Sequence, residues 1–128
     1  MINSLSIDYL IRLKNSSLAG NKTVLVPNSK FIRSLSDLLI KNGFLTSYEI
    51  LEDKKSIKAV LAYNDDQPLI SQVKVFSKPG RRWYQNTNSL PWGQSSSSLI
   101  IVSTSKGLLT QRQAKKQGIG GEIIAEIN

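Results

Sequence analysis

Cysteine and histidine are both absent from this 128-residue chain. Without cysteine the chain can form no disulfide and offers no thiolate nucleophile or metal ligand. Without histidine it lacks imidazole metal ligands and the usual base of a catalytic triad. These two absences remove most common enzyme chemistries, and we expect neither catalysis nor a cofactor.

Long apolar runs are missing as well. No stretch approaches the roughly 20 consecutive apolar residues that a membrane-spanning helix needs. The chain also lacks a cationic amphipathic helix long enough to lie on a membrane surface. We therefore expect no membrane partner, and nothing in the sequence indicates a small-molecule substrate.

Negative charge is scarce in the second half of the chain, whose net charge as a whole is +8. Residues 71–128 hold eight Lys and Arg against two acids, a net +6, whereas residues 1–70 hold nine against seven, a net +2. No carboxylate side chain occurs between Asp66 and Glu122. Because solvated surface charge normally mixes both signs, this one-sign segment indicates a polyanionic partner.

Apolar periodicity in the first half predicts the order helix, strand, helix, strand, strand. The first helix covers residues 4–14 and is broken where Asn15 begins a polar triplet. The strand TVLVP follows, then a helix capped by Asn28 or Ser29, then a hairpin of FLTSYEIL and IKAVLAY. Because NDDQP is a turn-rich boundary, we assign residues 1–68 to an N-terminal α/β domain.

The second half, residues 69–128, is predicted to be a mostly β domain with one short helix. The strand patterns are LISQVKVFS, LIIVS and GEIIAEI. Before the last of these, Thr110 and Gln113 match the capping box T-x-x-Q, which opens a helix that ends before Gly118. The fold class is therefore α+β, in two small domains.

The stretch STSKGLLTQRQAKKQGIGGE (103–122) combines small hydroxyl residues, glycines and cations. A strand that runs into its first turn presents backbone N–H groups and hydroxyls that can hold phosphate or ribose oxygens. The start of the following helix adds a positive dipole, and the glycines allow another backbone to approach closely. We predict an RNA-binding surface made by Ser103, Thr104, Ser105, Lys106, Gly107, Lys115, Lys116, Gly120 and Gly121.

Glu122 is the lone acid of this stretch, and two roles for it stay open. Its carboxylate can accept hydrogen bonds from loop amides and fix the turn, or it can read base amino groups. Known nucleotide-binding motifs do not fit, because the Walker pattern lacks its leading glycine and the dinucleotide pattern has Ile123 at its third glycine.

The segment SKPGRRWYQ sets the cations Lys78, Arg81 and Arg82 beside Trp83 and Tyr84. Cations interleaved with aromatic rings suit RNA, because rings stack on unpaired bases while guanidinium groups contact phosphate. Alternation along the chain predicts that Trp83 points inward and Tyr84 points toward the ligand. The polar loop at 85–98, with Trp92, receives no functional assignment.

These motifs resemble the family of the eighth small-subunit ribosomal protein. STSKGLLTQRQAKKQGIGGEII resembles that family's signature, S-T-S-x-G, then T-D-x-x-A-R, then G-x-G-G-E. KPGRRWY resembles its K-P-G-x-R-x-Y, SIDYLIRLKN its N-terminal helix, and SKFIRSLSDLLIKNGFL the helix that leads into its G-F-[IL]. The resemblance covers nearly the whole chain in the expected order.

The resemblance implies a two-domain α+β structural constituent of the small ribosomal subunit. Such a protein binds a stem of the central domain of small-subunit rRNA, supports its folding and assembly, and lies beside other small-subunit proteins, notably the fifth. The principal RNA contacts implied are Tyr84, Ser103, Thr104, Ser105, Gly107, Gly120, Gly121 and Glu122. Secondary contacts from the N-terminal half are Lys14, Asn15 and Lys30.

The family has an aspartate where this chain has Gln111, which is expected to remove an acid from a helix start. A composition rich in Asn, Ser, Lys and Ile indicates an organellar, mitochondrial member, with a plastid or a bacterial cytoplasm as alternatives. A non-ribosomal RNA-binding or RNA-processing protein is the alternative function. RNA cleavage would need Glu122 and Glu126, which we expect on one face of the last strand.

Overall fold

The computed structural model describes residues 4–65, 67–77, 83–86 and 98–128, with side chains from residue 7 onward. The chain forms two compact units, one of Asp8–Ser71 and one of Gln72–Asn128 with Met1–Ile7. Both helices and antiparallel strands are present, so the α+β prediction is confirmed. None of the described helices is long and apolar enough to cross a bilayer.

The first unit has the predicted element order. Its elements are α1 (Ser4–Leu18, from Asp8 onward), β1 (Thr23–Pro27), α2 (Lys30–Lys41), β2 (Leu45–Ile50) and β3 (Ser56–Leu61). The predicted break at Asn15 is wrong, because α1 continues to Leu18 with Ser17 on its buried face. Packing of that face outweighs the weak helix propensity of serine and asparagine, and the turn at Gly20, with φ 79°, follows instead.

Local signals define α2. The Ser29 hydroxyl accepts a hydrogen bond from the Ile32 N–H at 3.1 Å, which confirms one of the two predicted caps. Gly43 follows the helix with a left-handed φ of 84°, as the Asn-Gly stop predicts. The apolar stripe packs inward, and its buried members are Ile32, Leu35, Leu38 and Leu39.

The sheet of this unit has the order β1-β3-β2, with both pairs antiparallel. Val24 lies opposite Ala59 and Val26 opposite Ile57, so alternate side chains share the buried face. The hairpin predicted for β2 and β3 is confirmed. A further two-strand hairpin of β4 (Tyr63–Asn64) and β5 (Gln67–Pro68) occupies the predicted boundary.

Tyr9 of α1 is held in the core of this unit. Its hydroxyl lies 2.6 Å from the Ser36 hydroxyl of α2, which donates its own proton to the Ile32 carbonyl at 2.8 Å. Tyr9 is therefore the donor to Ser36, and it needs its proton to make the bond. Burial raises the pKa of Tyr9 from 10.0 to about 12.

This pKa predicts a loss of stability in alkali. Between pH 10.0 and about 12 the unfolded chain releases the Tyr9 proton while the folded chain keeps it. The contribution of Tyr9 to the free energy of unfolding is fully present below pH 10.0. It is lost as the pH rises to about 12, a decrease of about 2–3 kcal/mol. Urea unfolding of wild type and Tyr9→Phe across this range measures the effect, because other titrations are common to both. Curves that fall in parallel would contradict it.

The second unit contains β6 (Val73–Val75), β7 (Tyr84–Gln85), β8 (Leu99–Thr104), β9 (Gly107–Thr110), α3 (Gln111–Gln117) and β10 (Gly121–Ile127). A mostly β unit with one short helix among the described residues agrees with the prediction. Two details differ: LISQVKVFS forms a strand only at β6, and the additional strand β9 was not predicted. Gly107, with φ 104°, lets β8 reverse into this additional strand.

The antiparallel sheet of this unit has the order β6-β10-β8-β9, and β7 also pairs with β10. β10 and β8 are central, and their apolar side chains are buried. Ile100, Val102 and Ile123 pack with Ala114 of α3 in one cluster. The core therefore fixes the strand ends at which the predicted RNA-binding residues lie.

Candidate nucleic-acid interface

The β8–β9 hairpin carries the hydroxyl-rich motif at its turn. The Thr104 hydroxyl donates to the Gly107 carbonyl at 2.8 Å and accepts from the Lys106 N–H at 3.1 Å. The Thr104 side chain therefore stabilises the turn through hydrogen bonds within the hairpin. Ser105 and Lys106 form the tip and are exposed, so their side chains are available to a ligand.

Three predicted residues from separate segments form one row across the sheet. Ser103 of β8 lies opposite Glu122 of β10, and Glu122 lies opposite Tyr84 of β7. Directly opposed residues of antiparallel strands share a face. We call these residues the Ser103–Glu122–Tyr84 row. Its outer member, Tyr84, is 65% exposed, whereas Glu122 is 3% exposed.

Gly120 and Gly121 are contacted closely by the protein's own backbone. A Cβ atom at Gly121 would overlap the Ser103 carbonyl oxygen and lie 3.2 Å from Val102 Cγ1. A Cβ atom at Gly120 would overlap the Gln85 carbonyl oxygen. These glycines let β7 and β8 close on the start of β10. Their part in RNA contact stays a prediction.

In this unit the acidic side chains are buried, whereas the described basic side chains are exposed or half-buried. Its two acids, Glu122 and Glu126, are 3% and 5% exposed. Among the described residues of the unit, its exposed charged side chains are cations: Lys74, Lys106, Arg112 and Lys116, with Lys115 half-buried. The surface thus presents a positive field that no exposed carboxylate side chain offsets within those ranges.

The two acids do not share a face, contrary to expectation. A β-bulge between Ile123 and Ala125 shifts the register, so Glu122 opposes Ser103 while Glu126 opposes Ile100. Ser103 and Ile100 are three residues apart on β8 and point to opposite faces. The described part of the chain also contains no cluster of three acidic, histidine or cysteine residues that could hold a metal ion.

The aromatic pair is only partly as predicted. Tyr84 is exposed, but Trp83 is also 38% exposed, so the prediction that it is buried is wrong. Its ring instead packs edge-on against Phe76, with centroids 5.0 Å apart and planes at 67°. The predicted contacts Lys78, Arg81 and Arg82, and also Trp92, lie outside the described residues.

The start of α3 is closed by its own cap. The Gln113 N–H donates to the Thr110 hydroxyl at 3.1 Å, and the Thr110 N–H donates to the Gln113 side chain at 3.0 Å, so the capping box is confirmed. Thr110 and Gln111 are both buried. The Gln113 N–H is therefore used within the protein, and the part of this helix start in phosphate binding stays a prediction.

A comparison with protein families shows to which family this chain belongs. The family model described as Ribosomal protein S8 matches residues 5–128. The chain belongs to the ribosomal protein S8 family. Curated relatives agree, and each of the three described next carries the name small ribosomal subunit protein uS8.

The S8 relatives cover almost the same length as this chain. The protein of Dictyoglomus thermophilum is 38% identical over 122 residues, which cover 94% of this chain and 93% of its own. That of Psychrobacter sp. (strain PRwf-1) is 38% identical over 121 residues, or 92% of each. That of Natranaerobius thermophilus is 40% identical over 123 residues, or 94% and 93%.

Gln111, the departure from the S8 pattern, lies in the core. Its side-chain carbonyl accepts from the Ile100 N–H of β8 at 2.9 Å. The amide nitrogen of Gln111 has no hydrogen-bond partner within the described part of the chain. As expected, the first turn of α3 holds no acid, and the Gln111 side chain bonds a strand in the core.

The secondary residues of the S8 resemblance belong to the first unit. Lys14, half-buried, and Asn15, exposed, are adjacent on α1, and Lys30 is exposed at the start of α2. Sequence reasoning assigned no role to Ser77, a fully buried residue just after β6 whose hydroxyl bonds Ile123 and Trp83. No signal could have found it, because a serine before Lys-Pro-Gly has the pattern of an ordinary turn.

Proposed function

We propose that this S8 family chain is a structural constituent of the small ribosomal subunit. It binds a stem of the central domain of small-subunit rRNA and supports the folding and assembly of that RNA. The observation that carries the proposal is the exposed Ser105–Lys106 tip, set in a unit whose two acidic side chains are buried. The chain acts as a binding protein and not as an enzyme.

The described geometry supports recognition by shape, backbone and a few unpaired bases. The deep, narrow major groove of an RNA helix excludes side chains, so proteins contact phosphates, 2′-hydroxyls and displaced bases. The hairpin tip supplies the polar contacts, and Tyr84 supplies a ring for stacking. The proposed contact set is Lys14, Asn15, Lys30, Lys78, Arg81, Arg82, Tyr84, Ser103, Thr104, Ser105, Lys106, Gly107, Lys115, Lys116, Gly120, Gly121 and Glu122.

The variants Ser105→Ala and Thr104→Ala distinguish direct contact with RNA from stabilisation of the hairpin turn. Because Ser105 is exposed at the tip, its replacement should weaken binding of a central-domain rRNA transcript about fivefold, and stability should stay within about 0.5 kcal/mol. Thr104→Ala removes two hydrogen bonds that shape the turn, so it should weaken binding and also lower stability by about 1–2 kcal/mol. Filter binding and urea unfolding measure the two effects.

A fully paired RNA duplex of the same length is the control ligand. Wild type should prefer the irregular stem, and Ser105→Ala should lose part of that preference. Equal binding of both RNAs by the wild type would overturn the proposed function. Equal binding of the stem by wild type and Ser105→Ala would instead remove Ser105 from the contact set.

Three finer proposals go with this function. The fifth small-subunit protein is proposed as a neighbour in the particle. The boundary between its two domains is proposed to lie between residues 68 and 69. A mitochondrial ribosome is the proposed location, which the composition supports, and a plastid or a bacterial cytoplasm is the alternative. The relatives named above are bacterial proteins.

A further inference from the structure

One edge of β10 is shared between two short strands. β6 pairs with Ala125, Glu126 and Ile127, whereas β7 pairs with Gly121 and Glu122. Ile123 and Ile124 lie between these two pairings. Their backbone groups on this edge are met by Phe76 and Ser77, which follow β6, and by Trp83, which precedes β7.

Ser77 joins the three segments with one hydroxyl. Its Oγ donates to the Ile123 carbonyl at 2.6 Å and accepts from the Trp83 N–H at 2.9 Å. Its own N–H donates to the Ile124 carbonyl at 3.3 Å. Ser77 is fully buried, so water does not compete for these bonds. The hydroxyl replaces a strand-to-strand hydrogen bond at the point where one partner strand gives way to the other.

Trp83 is thereby held at both ends of its backbone. Its N–H donates to Ser77, and its carbonyl accepts from the Ile123 N–H at 2.8 Å. Its ring also packs on Phe76, which adjoins Ser77. The next residue is Tyr84, the exposed member of the Ser103–Glu122–Tyr84 row, so the orientation of Tyr84 depends on where Trp83 is fixed.

The geometry points to Ser77 as a positioning residue that sets Tyr84 for stacking on an RNA base. This inference rests on the proposed function, in which the exposed ring of Tyr84 meets an unpaired base. Ser77 itself contacts no RNA, because it is fully buried. Without its hydroxyl, the Trp83 N–H and the Ile123 carbonyl each lose a partner, and β7 is held less firmly against β10.

A double-mutant cycle tests the inference with the full chain and a transcript of the rRNA central domain. Tyr84→Ala should weaken binding about tenfold through loss of one stacking contact. Ser77→Ala should weaken binding about fivefold, since Tyr84 is retained but less well placed. In the Tyr84→Ala background, Ser77→Ala should change affinity less than twofold, because two residues that act through one contact are not additive.

Two further variants keep the test decisive. Ser77→Cys leaves no cavity but has a larger atom and a much weaker hydrogen-bonding group, so it should also weaken binding about fivefold even if alanine impairs folding. In a Ser105→Ala background the effect of Ser77→Ala should remain about fivefold, since the hairpin tip contacts RNA separately.

The outcomes distinguish this inference from the proposed function. If the wild type and Tyr84→Ala behave as expected but both Ser77 variants bind like the wild type, the inference is overturned and the function stands. An equal effect of Ser77→Ala with and without the Tyr84 ring also overturns it, because a general loss of structure would act in both backgrounds. Failure of the wild type to bind the transcript overturns the function, and the inference with it.

Discussion

Alanine at Gly121 is expected to destabilise the fold by about 3 kcal/mol, near the upper end for overpacking of a rigid site. The added methyl group would overlap the Ser103 carbonyl oxygen of the neighbouring central strand. That oxygen belongs to backbone paired with β10, so it cannot move away as a flexible side chain can. Urea unfolding of wild type and Gly121→Ala measures the loss.

Gly118→Ala is the matched control. Gly118 has a left-handed φ of 69°, and nothing lies within 4 Å of the position of an added Cβ. Its replacement should therefore cost only the conformational strain, about 1 kcal/mol. If Gly121→Ala were no more destabilising than Gly118→Ala, the close approach of β8 to β10 would not be what requires glycine.

RNA affinity is expected to fall by about 500-fold between about 50 and 200 mM salt, if five phosphates are neutralised. The described part of the second unit holds five cations that are exposed or half-buried, of which Lys106, Lys115 and Lys116 are proposed contacts, and both of its acids are buried. Each phosphate contact releases a condensed counterion, so the logarithm of affinity falls linearly with the logarithm of salt concentration. Titrations at a series of salt concentrations measure this slope.

Single charge removals locate the contacts. Lys106→Gln, at the exposed hairpin tip, should reduce the slope by about one. Lys22→Gln removes an exposed cation of the other unit that is not a proposed contact, and it should leave the slope unchanged. If the affinity of the wild type did not depend on salt, the electrostatic part of the proposed function would be wrong. If the two variants had equal slopes, Lys106 would not contact a phosphate.

Elements governed by local chemistry could be predicted from the sequence. Ser29 and Gly43 bracket α2, and the Thr110–Gln113 box opens α3, because caps depend on residues only a few positions apart. Strand β1 and the β2–β3 hairpin follow from alternation and turn residues. The hydroxyl-rich turn and its positive surroundings were also recognised, although strand β9 was not.

Features that depend on distant partners could not be predicted. The bulge that separates Glu122 from Glu126 leaves no periodic mark, and no local pattern shows that Gly121 faces Ser103. Gln111 has the position of an exposed residue in the first turn of a helix, yet it bonds Ile100 across the core. Ser77 acquires its role only when two short strands meet along β10.

The shared edge of β10 also bears on how the protein behaves before it meets RNA. In the described residues, β6 has three residues and β7 has two on one side of the sheet, while β9 has four on the other side. Edge strands this short offer another chain little backbone for pairing. The edges of this sheet should therefore contribute little to strand-to-strand aggregation while a newly made copy searches for a binding partner.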